Sequence, residues 1–126
     1  MLTQADISSL PASRELDALV AERVMGWHAL RDGHCAECEA MIKEGTLMMS
    51  DPQGLVGVVP DYSTSISAAW EVVEKTRLFD NAHLRRDLWN EIRWQIVAEP
   101  SEEILASADT APLAICRAVL KTVEAA

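Results

Sequence analysis

A chain of 126 residues that is 49% hydrophobic and carries four tryptophans holds enough apolar surface to pack one domain and is too short to divide into two. Twenty acidic against eleven basic residues leave a formal charge of −9, which opposes attraction to phosphate backbones and anionic lipid, so general nucleic-acid binding and membrane binding are excluded. No stretch reaches the apolar length that crosses a bilayer, and the opening MLTQADISSLPAS has neither a basic leader nor an apolar export core, so a cytoplasmic protein is expected, its three cysteines kept as thiols.

Residues 1–12 form a polar N-terminal segment, and a single α+β domain is expected over residues 13–126. From Ser13, a natural N-cap, Leu16, Leu19, Val20, Val24 and Trp27 recur at spacings of three and four, which lines one helix face, while Glu15 and Asp17 suit the positive end of its dipole. Residues 34–57 predict a hairpin-like excursion. SDPQG, Ser50 to Gly54, has the residue types of a tight turn, and the apolar run GLVGVVP reads as a strand stopped by Pro60.

A second helix is predicted to start at Ser63 or Thr64 and end near Arg77, burying Ile66, Ala69, Trp70 and Val73. HLRRD and EIRWQIVAE then read as two strands, because Ile92, Trp94, Ile96 and Ala98 alternate with Arg93, Gln95 and Val97; a helix through Leu84, Leu88 and Ile92 is the alternative. EPSEEILASAD reads as a polar connection with a short turn. Asp109 or Thr110 caps a third helix whose first turn tolerates Pro112 and whose buried face is Leu113, Cys116, Leu120 and Val123. Three helices and short strands in this order predict a small antiparallel sheet layered with helices.

Three blocks, RELDALVAERVMGW, PDYSTSISAAWEVVEK and ADTAPLAICRAVLKTVEA, together resemble the phage ABA sandwich domain of small phage and prophage proteins. The resemblance implies a helix/sheet/helix sandwich and a phage origin, which would make the expected cytoplasm that of the host cell. It supplies no catalytic residues, since the family has no assigned activity, and the middle of this chain, including GHCAECEAMIKEG, is longer than the usual pattern.

Two candidate sites stand out. Cys35 and Cys38 have the two-residue gap with which two thiolates grip a tetrahedral zinc, and His34 is a further ligand candidate; only half of a four-ligand pattern is visible, so free loop thiols are the plainer reading. Tyr62, Ser63 and Thr64 crowd a helix N-terminus, where free N–H groups and hydroxyls suit an anion, and Arg85 and Arg86 would complete a site for a phosphate-bearing ligand if the fold brought them there. One hydroxyl suffices for a cap, however, and no glycine-rich loop is present to wrap a phosphate. Lys75, Arg77, Arg85, Arg86 and Arg93 are interleaved with Glu74, Asp80, Asp87 and Glu91, which reads as a solvated, salt-bridged face. Trp70 and Trp94 are assigned to the core, leaving Tyr62 and Trp89 as the freer aromatic residues. No nucleophile elbow or paired-histidine motif is present, so an enzyme is not expected. The sequence therefore favours a phage- or prophage-encoded accessory protein that binds a host or phage protein. Its alternatives are a binder of a small phosphorylated ligand or nucleotide signal acting in counter-defence, and a zinc-stabilised interaction module. A homo-oligomer is consistent with the edges that a small sheet leaves open.

Overall fold

The computed structural model describes residues 3–29, 45–88 and 93–125. Within the polar segment at the start, Gln4–Ser9 form a short helix, α1, closed by a reciprocal cap: Thr3 Oγ1 accepts the Asp6 N–H and the Asp6 carboxylate accepts the Thr3 N–H, both at 3.0 Å. Six residues are too few for a periodic pattern to register in sequence. Ile7 nevertheless enters the core with no exposure.

Helix α2, Arg14–Arg23, starts as expected at Ser13, whose hydroxyl accepts the Leu16 N–H at 3.2 Å. Its inner face is Leu16, Val20 and Ala21, joined by a carboxylate, Asp17, which is 1% exposed. Strands β1 (Met48–Ser50) and β2 (Val56–Val58) pair antiparallel with Met49 opposite Gly57. The turn between them is the Asp-Pro-x-Gly turn of the sequence: Asp51 Oδ1 accepts the N–H groups of Gln53 and Leu55, each at 2.9 Å, and Gly54 sits at φ +87°, where a side chain would be strained.

Helix α3 spans Ile66–Thr76, and its N-cap is Ser65, not Ser63 or Thr64; Ser65 Oγ accepts the Ala68 N–H at 3.4 Å. The buried face also differs from the predicted one. Ala69, Val72 and Val73 turn inward, whereas Ile66 and Trp70 are 53% and 48% exposed. The helix ends at Arg77 in the left-handed conformation (φ 56°, ψ 37°), a 3-10 turn follows over Leu78–Asp80, and the chain reverses into the second sheet.

That sheet is β3 (Ala82–Asp87), β4 (Arg93–Ala98) and β5 (Ile104–Ala108), antiparallel in the order β3-β4-β5. The two predicted strands are present. The third, β5, corrects the reading of EPSEEILASAD as a connection: its alternation is muted because the buried positions are alanines, Ala106 and Ala108, small enough to let a helix lie close. That helix is α4, Ala111–Ala125, capped by Thr110, whose Oγ1 accepts the Leu113 N–H at 3.4 Å. Residues 112–120 of α4 are buried without a break, because it packs on β4 and β5 and also on α1, α2 and α3. A helix buried all round is the hub of a small α+β domain. Arg117 crosses this hub and ties it together, donating from Nε and Nη2 to the Leu10 carbonyl and from Nη1 to the Ser107 carbonyl at 2.7–3.0 Å. Among the described residues, no helix is long and apolar enough to cross a membrane.

Candidate functional site

The hydroxyl-rich stretch ahead of α3 is a lock between elements. Asp17 Oδ1 accepts the Ser63 N–H at 2.8 Å and the Ser63 hydroxyl at 2.6 Å, while Asp17 Oδ2 accepts from Arg14 Nη1 at 2.8 Å. Ser63 Oγ in turn accepts the Ser13 N–H at 3.2 Å. Arg14 also reaches Asp61 at 2.6 Å and the Val59 carbonyl at 2.6 Å. The N–H and hydroxyl of Ser63 are thus taken up inside the protein, and the residue is fully buried. Tyr62, expected to be free, is 1% exposed, and burial together with the nearby Glu71 pushes its phenol up to about 12, against a hydrogen bond from the Trp27 side chain. Of the three predicted anion-binding residues here, Thr64 alone is exposed.

Arg85 and Arg86 do not join them. Helix α3 packs on α4 rather than along β3, and neighbouring residues of a strand leave opposite faces of the sheet. Arg85 Nε donates to Gln95 Oε1 at 2.8 Å, and the Arg86 guanidinium lies 5.6 Å from the centroid of the Trp94 ring. The hollow of about 340 Å³ beside them is also lined by Asp87 and Leu88, a carboxylate and an apolar side chain that oppose an anion. Of the expected salt-bridged face, Arg77 and Asp80 form an ion pair at 2.8 Å, while Arg85 and Arg86 have the neutral partners Gln95 and Trp94. Trp94 is half-buried and Trp70 stacks at 56° on Phe79 with centroids 5.7 Å apart, so neither lies wholly in the core. Cys35, Cys38, His34 and Trp89 lie outside the described residues. Cys116 is fully buried, and burial pushes its thiol up to about 12, which makes it an inert packing residue.

A further concave feature lies where the C-terminal ends of α3 and α4 meet the end of the three-stranded sheet. It is a cleft of about 490 Å³. Leu78, Ala82, Ala98, Leu105, Val119 and Val123 supply its apolar surface, and Thr76, Arg77, Asn81, Glu99 and Thr122 its polar groups. The two threonine hydroxyls are occupied by carbonyls of their own helices, Thr76 to Val72 at 2.7 Å and Thr122 to Ala118 at 3.0 Å. Arg77 is held by Asp80, and Glu99 faces His83 Nδ1 at 2.9 Å. Asn81 is exposed and its amide has no side-chain hydrogen bond among the described residues, so it offers a donor and an acceptor at the mouth. Such a cavity suits an apolar group carried on a polar chain.

Sequence reasoning missed this cleft because it placed Val123 on the buried face of the last helix. The face does continue from Val119 to Val123, but the sheet ends first, leaving Val123 38% exposed. An apolar stripe running one turn past the polar residues of the α3–β3 connection was the available signal.

A family profile described as the phage ABA sandwich domain matches residues 18–120. Among solved structures, a phage protein from Bacillus cereus ATCC 14579 is similar at 23% sequence identity, covering 92% of this chain and 96% of that one with a TM-score of 0.59; the likeness is one of fold. A comparison with curated proteins finds no match.

Proposed function

Because the chain belongs to the phage ABA sandwich family, we propose that it is a phage- or prophage-encoded accessory protein that works by binding a host or phage protein in the host cell cytoplasm, without catalysis. The cleft at the end of the sheet carries this reading. Its apolar surface with Asn81 at the mouth fits one large apolar side chain of a partner segment, whose backbone amide meets the Asn81 amide. The described residues bring no activated nucleophile beside a base: Ser63 is locked against Asp17, and Cys116 is held as a buried thiol. Nothing in the geometry favours the phosphorylated-ligand alternative, since Tyr62 and Ser63 are internal and Arg85 and Arg86 point apart. The zinc-stabilised alternative rests on residues outside those described.

Selection of random peptides on the purified protein tests the proposal. Enriched peptides are expected to share one large apolar residue, and their binding should fall about tenfold or more in Val123→Lys and more modestly in Asn81→Ala. Peptides that bind both variants as well as the parent, or no enrichment at all, would overturn it.

A further inference from the structure

Strand β2 has an edge that the rest of the described fold leaves open. The bonds from Val59 N–H to the Leu47 carbonyl and from Asp51 N–H to the Leu55 carbonyl mark residues 55, 57 and 59 as those whose backbone groups face β1. In an antiparallel ladder the alternate residues then face the other way, so Val56 and Val58 direct their N–H and C=O groups outward. The opposite edge of β1 is covered, since Ser50 exchanges both bonds with His28 at 2.8 and 2.9 Å. No bond covers Val56 or Val58 among the described residues, and their side chains are 40% and 48% exposed, next to Leu55 at 67%.

We infer that this edge pairs with the same edge of a second copy, antiparallel about a two-fold axis through Gly57. Symmetry makes the match. With Gly57 opposite its own counterpart, Val56 of each copy stands opposite Val58 of the other, and the outward N–H and C=O groups of the two residues complete four hydrogen bonds. The four valines then form one apolar cluster on the face away from Gly57, whose own side lies against the Trp27 ring, where a Cβ would come within 3.7 Å. The ends match as well. Pro60, which has no N–H to give, falls opposite Gly54 of the turn, so the ladder stops at both ends after Leu55 to Val59.

Charge does not oppose a second copy at this edge. A chain of net charge −9 repels its like, yet residues 55–59, LVGVV, carry no charge and no proline or lysine of the kind that guards edge strands. The flanking Asp61 is held by Arg14 at 2.6 Å, and the two-fold sets it opposite position 53, a glutamine, rather than another acid.

Sedimentation equilibrium and amide exchange test this. The full chain should associate reversibly as concentration rises towards about 1 mM, with the Val56 and Val58 amides slowing in step while Gly57, already facing β1, changes little. Val58→Lys should weaken association about tenfold or more, and Val58→Thr, which keeps the strand preference, should weaken it less. A protein that stays monomeric at that concentration, a dimer that both variants preserve, or a dimer whose Val56 and Val58 amides still exchange freely would each overturn the inference.

Discussion

The two sheets of this molecule are built from similar β-formers and do opposite things. In the three-stranded sheet, Ile96, Ala106 and Ala108 are sealed beneath α4, and the strands are long enough to be held by six and four cross-strand pairs. In the hairpin, three pairs hold β1 to β2, and two of the three residues of β2 face solvent. What separates these positions is cover: Ile96, Ala106 and Ala108 lie beneath α4, whereas Val56 and Val58 are 40% and 48% exposed. The large sheet is a scaffold whose end frames a cleft; the hairpin is attached at its exit by the Asp17–Ser63 lock and keeps an edge for other work.

The strongest way to break the contrast is to hollow the scaffold. Ile96→Ala removes most of a fully buried side chain between strand and helix and should cost about 2–5 kcal/mol, read from the urea midpoint at unchanged slope. An equal substitution at Val58 should leave monomer stability almost unaltered, because that side chain is already in solvent.

Loosening the hairpin's attachment comes next. Asp17→Ala leaves the buried Ser63 N–H without its acceptor and the Ser63 hydroxyl with the Ser13 carbonyl at 3.2 Å, and should cost about 2–4 kcal/mol. Asp17→Asn should cost less, since it keeps an acceptor for Ser63. Exchange of the Val59 and Leu47 region should accelerate before that of β4. Uniform acceleration across both sheets would mean that the hairpin and scaffold open as one unit.

Alkaline pH probes the two regions through different groups. Burial raises the Cys116 thiol, in the hub under the scaffold, from 9.0 to about 12, and the Tyr62 phenol, at the hairpin exit, from 10.0 to about 12. The unfolded chain gives up these protons at ordinary values, so above about pH 9 it binds fewer protons than the folded chain, and stability falls as pH rises. Below that range both contributions are present in full. Cys116→Ala should delay the onset of the fall towards pH 10, leaving the Tyr62 contribution; an unchanged profile would show that the thiol is not held protonated.

Much of the scaffold was legible from residues alone, and the reasons are local. Ser13 as a cap, the Asp51 turn and Pro112 in the first turn of α4 each express a preference satisfied within a few neighbours, whereas the alternation read in β4 is broken by Gln95 and Val97, which are buried along with Ile96. The family resemblance, carried by three blocks, agreed with the fold. The misses are tertiary. Ser63 and Ser65 are chemically alike, and only the approach of Asp17 from another helix decides which one locks and which one caps. Trp70 fits a buried stripe by spacing, but packing on α4 makes Ala69, Val72 and Val73 the inner face and leaves Trp70 against Phe79. Asp17 reads as a dipole-facing surface acid because Ser63, the partner it is buried with, lies 46 residues away. The cleft was hidden for the same reason, since its walls come from two helices and three strands that meet in space and not in sequence.

The smallest effect sharpens the scaffold side, at the wall of the cleft. Arg77 holds a left-handed conformation that side chains with a Cβ resist by about 1–2 kcal/mol, and it follows a helix at the position where glycine is favoured. Its ion pair with Asp80 joins two exposed side chains and contributes little. Arg77→Gly relieves the strain but raises the entropy of the unfolded chain, an opposing cost of about 0.4–1 kcal/mol, so a net gain of about 0.5–1 kcal/mol is expected in the urea midpoint. The natural arginine therefore stands at the cleft mouth against the preference of its own backbone. If selected peptides bind Arg77→Gly more weakly while the fold is firmer, the side chain serves recognition; equal binding would leave the cleft to its apolar surface and Asn81.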